Sequence, residues 1–142
     1  MNSPIEWLVD LESLRRFPQR YARAVDQRDH DALASLFDPD GTIDGTFGLE
    51  TVHDYLEGMR TRLSSTGTSM HSLGDPLVDL EPGADTAHLD TYAVVYQFPD
   101  ADSGRDPFTL GMRYLDDVVR LDGEGGPEWR IHHRTTERIW MR

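Results

Sequence analysis

Asp26 and His71 carry the most chemistry in this chain: an acid late in an N-terminal helical region, and an imidazole opening a strand after the next helix. An aspartate that accepts the Nδ1 proton of an imidazole fixes its tautomer and raises its basicity. The opposite ring nitrogen can then take a proton from a substrate carbon. Each residue has a plainer reading. Asp26 opens the charged run Asp26 to Asp31, and such runs are usually solvated helix faces. His71 shares strand parity with Leu73 and would otherwise be a core histidine. A buried imidazole opposite a helix still needs a hydrogen-bond partner, for which a carboxylate is the natural choice.

Two further polar residues are candidates. Tyr114 shares a strand face with Leu110 and Met112; its hydroxyl either donates to a developing oxyanion or bonds to backbone as a core tyrosine. His133 follows Trp129 and Ile131 on one strand face and is expected to point into the interior as an acid or a polar contact, with His132 facing outward. Adjacent strand residues point to opposite sides, so these two imidazoles do not suit one ion, and no metal is expected. His30 and His53 read as surface helix residues and His88 as an outer-face strand residue. Leu56, Met59, Met70, Val95 and Met112 are expected to form the apolar walls of a substrate cavity. The chain has no G-x-S-x-G elbow, phosphate-binding glycine loop or dinucleotide fingerprint, so no cofactor is expected.

The elements that position these side chains follow from periodicity. Ile5, Leu8, Val9, Leu11 and Leu14 have helical spacing, Pro4 suits a first turn, and Pro18 breaks or kinks the helix. A second helical stretch carries Tyr21, Ala22, Val25 and Arg28. A short third one, capped by Asp29, runs through Ala32, Leu33, Leu36 and Phe37 to a turn at Asp38-Pro39-Asp40-Gly41. After a short strand at 42–44 comes a helix over 49–63 with Leu49, Val52, Leu56, Met59 and Leu63 on its apolar face. Strands are expected over 68–80, 86–98, 108–121 and 128–140. Helices followed by a meander of long strands describe an α+β domain spanning 1–142, with an antiparallel sheet curved around the N-terminal helices.

In the strand over 86–98, Ala87, Leu89, Thr91, Ala93 and Val95 share the face suited to a cavity, while Tyr92, Val94, Tyr96 and Phe98 share the other. An exposed aromatic face of this size predicts a homodimer or homotrimer packed through the outer sheet face, unless a loop of the same chain covers it.

The 142 residues suffice for one domain with a real interior. A formal charge of -12 repels phosphates and anionic membranes, so nucleic acid is not an expected partner, whereas a small hydrophobic molecule is. No apolar run approaches the roughly 20 residues that span a bilayer, and the N-terminus carries acids where a signal would carry bases. A cytoplasmic location is the expectation. With no cysteine, thiol nucleophiles, thiolate metal sites and disulfides are excluded.

The order of Tyr21 to Phe37 (YARAVDQRDHDALASLF), Asp40-Gly41, Met70-His71-Ser72-Leu73-Gly74, Asp85-Thr86-Ala87, Thr91-Tyr92, Arg113-Tyr114 and Trp129-Arg130-Ile131 resembles the SnoaL-like branch of the nuclear transport factor 2-like superfamily. The resemblance covers almost the whole chain and implies a cone-shaped, cystatin-like roll. At Asp26 and His71 it is closest to scytalone dehydratase and hexachlorocyclohexane dehydrochlorinase, in which the equivalent pair is the general base of an elimination. It departs from the dehydratase where that enzyme's two tyrosines are matched by Val25 and Gly45, and where its second histidine falls near Gln97 to Pro99. Tyr114 lies near the dehydratase's cavity-facing asparagine. The resemblance implies a cofactor-independent lyase or isomerase of dehydratase or polyketide-cyclase type, acting on a small apolar cyclic or polyketide-like substrate. The same fold also serves non-catalytic ligand-binding or dimerisation modules and water-activating epoxide hydrolases.

Overall fold

The computed structural model describes residues 3–64 and 67–142. Helix α1 (Pro4–Arg15) opens with a capping box: the Ser3 hydroxyl accepts from the Glu6 amide and the Glu6 carboxylate accepts from the Ser3 amide, satisfying amides that a helix start leaves unpaired. Its periodic apolar residues Ile5, Leu8 and Val9 nevertheless stay exposed; the helix is anchored by buried Leu14 and by the Trp7 indole, which donates to the Leu80 carbonyl at 3.1 Å. Arg16 separates α1 from α2 (Phe17–Asp26). Pro18 sits in the first turn of α2, where its missing N–H costs nothing.

The Asp29 side chain caps α3 (His30–Ala34). The turn expected at Asp38–Gly41 is instead part of strand β1 (Phe37–Gly45), and Phe37 opens that strand rather than closing a helix. Strand β2 (Gly48–Thr51) takes Leu49 out of the next helix, which starts one cap later: Thr51 accepts from the Asp54 amide and α4 runs Val52–Leu63. The strand expected over 68–80 divides into β3 (Thr68–Leu73) and β4 (Leu77–Asp79) around Gly74-Asp75-Pro76. Strands β5 (Thr86–Phe98), β6 (Phe108–Gly123) and β7 (Gly126–Met141) complete the chain.

The seven strands form one curved sheet in the order β2-β1-β7-β6-β5-β3, with β4 also beside β5. All pairings are antiparallel except β1 with β7, which makes the sheet mixed. The core lies between the helices and the concave face, where Leu14, Phe37, Leu89, Val118 and Ile131 have no exposed surface. On the outer face Tyr92, Phe98, Ile139 and Trp140 remain exposed in the single chain. Among the described residues no helix is long and apolar enough to cross a membrane.

Candidate active site

The last turn of α2 and the first residues of β3 meet edge to edge, and that junction brings Asp26 to His71. Asp26 Oδ1 lies 2.7 Å from His71 Nδ1, and Oδ2 accepts from the His71 amide at 2.8 Å. Ser69, one pleat earlier on β3, donates its hydroxyl to Oδ1 at 2.9 Å. Burial alone would raise the carboxyl pKa, but the hydrogen bonds from the His71 side chain and amide and from Ser69 outweigh it, holding Asp26 below the usual aspartate value. An ionised carboxylate only accepts, so Nδ1 carries the proton and Nε2 is left as the basic nitrogen.

Arg28 holds this junction from outside. Expected within the second helical stretch, it lies past the end of α2 instead, where it is the one non-glycine residue with positive φ, 55°, among the described residues and so cannot continue the helix. Its Nη1 donates to Ser69 Oγ and to the Asp26 carbonyl, each at 3.0 Å, and its Nη2 donates to the Gly67 carbonyl. The guanidinium thus closes the carbonyl end of α2 onto the start of β3.

The His71 ring forms part of the wall of a cavity of about 250 Å³. The wall is mostly apolar, with Val25, Ile43, Met59, Val95 and Met112, and three tyrosines break it. Tyr21 meets His71 edge-on with ring centroids 6.0 Å apart, and meets Tyr114 at 5.6 Å; its hydroxyl lies 3.1 Å from that of Tyr55. Beneath the rings lies a fully buried ion pair, Arg134 Nε and Nη2 on Asp116 Oδ1 and Oδ2 at 2.6 and 2.9 Å. The Arg134 guanidinium carbon sits 4.1 Å from the Tyr21 ring centroid and 4.7 Å from that of Tyr114. Burial pushes the Tyr114 hydroxyl far above its ordinary pKa, with Arg134 pulling only partly the other way. Burial likewise raises Tyr55. Both therefore stay protonated donors at any working pH.

Of the residues expected at the site, His71, Tyr114, Met59, Val95 and Met112 line the cavity, and Asp26 stands behind His71. Three do not reach it. Met70 is 54% exposed on the outer face, because strand alternation puts it opposite His71. Leu56 packs on the core, turned about 100° around α4 from the cavity-lining Tyr55. His133 bonds through Nδ1 to Thr42 Oγ1 at 2.7 Å, away from the cavity. The cause is a bulge: Ile131 pairs with Val118 and His133 with Asp117, so His132 is an extra residue that reverses the alternation. Arg134 and Thr136 consequently face in. Arg134 was hidden from the strand pattern for the same reason; Tyr21, Tyr55 and Ser69 were legible only as ordinary face residues. Among the described residues no group of three or more His, Asp or Glu is gathered to hold a metal ion.

The SnoaL-like domain family matches residues 7–135, and no curated protein is a match. Among solved structures, a candidate scytalone dehydratase from Novosphingobium aromaticivorans DSM 12444 superposes with a TM-score of 0.81 at 19% identity, covering 95% of this chain and 87% of that one. The hexachlorocyclohexane dehydrochlorinase LinA-type3 from Novosphingobium barchaimii LL02 gives 0.79 at 14% identity, covering 99% and 93%. The Kfla4162 protein from Kribbella flavida gives 0.81 at 19%, covering 95% and 94%. Identities this low establish the shared fold.

Proposed function

This chain belongs to the SnoaL-like domain family, and from that premise we propose that it is a cofactor-independent lyase or isomerase whose general base is His71, oriented by Asp26. The observation that carries the reading is the 2.7 Å contact of Asp26 with His71 Nδ1 in a ring that forms part of a mostly apolar cavity wall. Elimination at a neighbouring carbon, double-bond migration or ring closure would follow proton removal, depending on which group leaves or attacks. Tyr114, which lines the same cavity with Arg134 against its ring, would stabilise negative charge developing on a substrate oxygen. The similarity in fold to a candidate dehydratase and a dehydrochlorinase supports the same class of chemistry.

The test is proton abstraction itself. Small cyclic ketones and β-hydroxy or β-halo ketones are incubated with the protein in deuterated water, and exchange or elimination is followed by NMR. Turnover is expected in the wild type. His71→Ala and Asp26→Asn each lower it by about 10²- to 10⁴-fold while the far-ultraviolet dichroism stays unchanged. Turnover that survives both substitutions would overturn the assignment. Ligands that bind equally to all three proteins and never react would instead favour a binding module.

A further inference from the structure

The tyrosines of the cavity have more protons to give than the protein around them has oxygens to take. Tyr21 comes from α2, Tyr55 from α4 and Tyr114 from β6, and all three line the cavity. The Tyr21 and Tyr55 hydroxyls lie 3.1 Å apart. Whichever of them donates, the one that accepts keeps its own proton, so the pair always has one O–H left to offer. Among the described residues that proton meets no acceptor, and neither does the proton of Tyr114. Tyr114 is 5% exposed, and its hydroxyl, unlike Thr91 Oγ1 and Arg134 Nη1, which are sealed in without a partner, keeps accessible surface. Since Tyr114 lines the cavity, that surface opens onto it. Buried donors left unpaired are costly, so two of them on one wall call for an oxygen from outside the chain.

Charge selects the kind of oxygen. An ionised carboxylate or phenolate would accept both protons, but leaving water for a mostly apolar site costs it far more than hydrogen bonds return unless a cation meets it. The cations at this cavity are already matched: Arg134 by Asp116, any charge on His71 by Asp26, and Arg62 and Arg105 by partners of their own. An alcohol is uncharged but brings a further proton to a wall that already has too many. A carbonyl oxygen accepts two hydrogen bonds, carries no charge and brings no proton.

We propose that the substrate is an uncharged ketone whose carbonyl oxygen takes the free protons of Tyr114 and of the Tyr21 and Tyr55 pair, which makes Tyr21 and Tyr55 specificity-determining residues. The proposal rests on the reading of this cavity as the substrate site, and extends it to a substrate class.

The experiment compares 1-indanone with indane, which lacks the oxygen, with 1-indanol and with indane-1-carboxylate by calorimetric titration. 1-Indanone is expected to bind the wild type at least about tenfold more tightly than each of the others, the scale of two neutral hydrogen bonds. Tyr114→Phe lowers the preference over indane by about two- to tenfold, and Tyr21→Phe combined with Tyr55→Phe does the same, each variant keeping its rings. Tyr92→Phe, on the exposed outer face, leaves the preference intact. His71→Gln also keeps it, so carbonyl recognition and base chemistry fail separately. The carbonyl stretch of bound 1-indanone, read by infrared spectroscopy, is expected below its frequency in hexane and moves back toward it in both tyrosine variants, which lost packing alone would not produce. Indane, 1-indanol or the carboxylate binding as tightly as the ketone, no binding of any probe, or a preference and a stretch that neither tyrosine variant moves would overturn the proposal.

Discussion

Ser69 has one hydroxyl proton to give, and Arg28 settles where it goes. Arg28 Nη1 donates to Ser69 Oγ, which occupies that oxygen as an acceptor and turns its own proton toward Asp26 Oδ1. The carboxylate then takes two donors on Oδ1 and one on Oδ2, leaving it no low-energy rotation away from His71. Ser69→Ala removes this constraint and leaves both partners one bond short. Loss of one such bond, about 0.5–1.5 kcal/mol, slows proton abstraction by roughly two- to tenfold. Ser69→Thr retains the hydroxyl on a strand that welcomes β-branching and keeps the wild-type rate. If Ser69→Ala lowers the melting temperature but leaves turnover unchanged, the hydroxyl is only structural.

The Asp26 and His71 contact was legible because the family resemblance pairs an acid late in the first helical region with a histidine opening a strand, and the parity that His71 shares with Leu73 turns its ring inward. The fold class was legible for a related reason: helices come first and long strands rich in β-branched and aromatic residues follow, and β5 has the boundaries that its composition implies. What stayed hidden lies on the two strands that bulge. In β7 the extra residue His132 turns His133 out and Arg134 in. In β1 the register runs from Phe37 opposite Ile131 to Thr42 opposite His133, so six residues of β1 span three of β7. The turn-forming composition of Asp38-Pro39-Asp40-Gly41 is real, for the Asp38 carboxylate accepts from the Asp40 amide at 3.0 Å, but the bulge absorbs it within the strand. Gly41 lets the two bulges meet. A Cβ there would stand 2.5 Å from the His132 carbonyl oxygen, a backbone atom that cannot swing aside. Gly41→Ala therefore pushes β1 from β7 and costs about 1–3 kcal/mol. Chemical denaturation checks this, and because Arg134 is carried on β7, the proposed proton-abstraction activity should fall with it. A variant as stable as the wild type would mean that the two strands do not need this close approach.

At the scale of the molecule, three aspartates brace the sheet through charge, Asp26 to a helix and Asp38 and Asp90 between neighbouring strands, and all three are held below the ordinary carboxyl value. For Asp26 and Asp38, burial pushes upward, but hydrogen bonds from His71 and Ser69 in one case, and from His132 and the Asp40 amide in the other, pull further down. For Asp90 the forked hydrogen bonds from Arg113 at 2.9 and 2.6 Å dominate over burial. A carboxyl whose folded pKa lies below its unfolded one adds stability that is fully present above the unfolded value, about 4, and is lost as pH falls through the folded value. The overall charge works in the opposite sense at first, since protonating carboxylates relieves the self-repulsion of a chain at -12. The melting temperature of the wild type alone mixes the two effects. The gap between wild type and Asp90→Asn separates them, because the Arg113 partner stays charged throughout and the background repulsion is nearly shared. That gap should hold constant from pH 7 to about pH 5, narrow below about pH 4 and close once Asp90 is protonated in the folded state. A gap that stays open at the lowest pH would show that Asp90 supports the sheet through packing rather than through its charge.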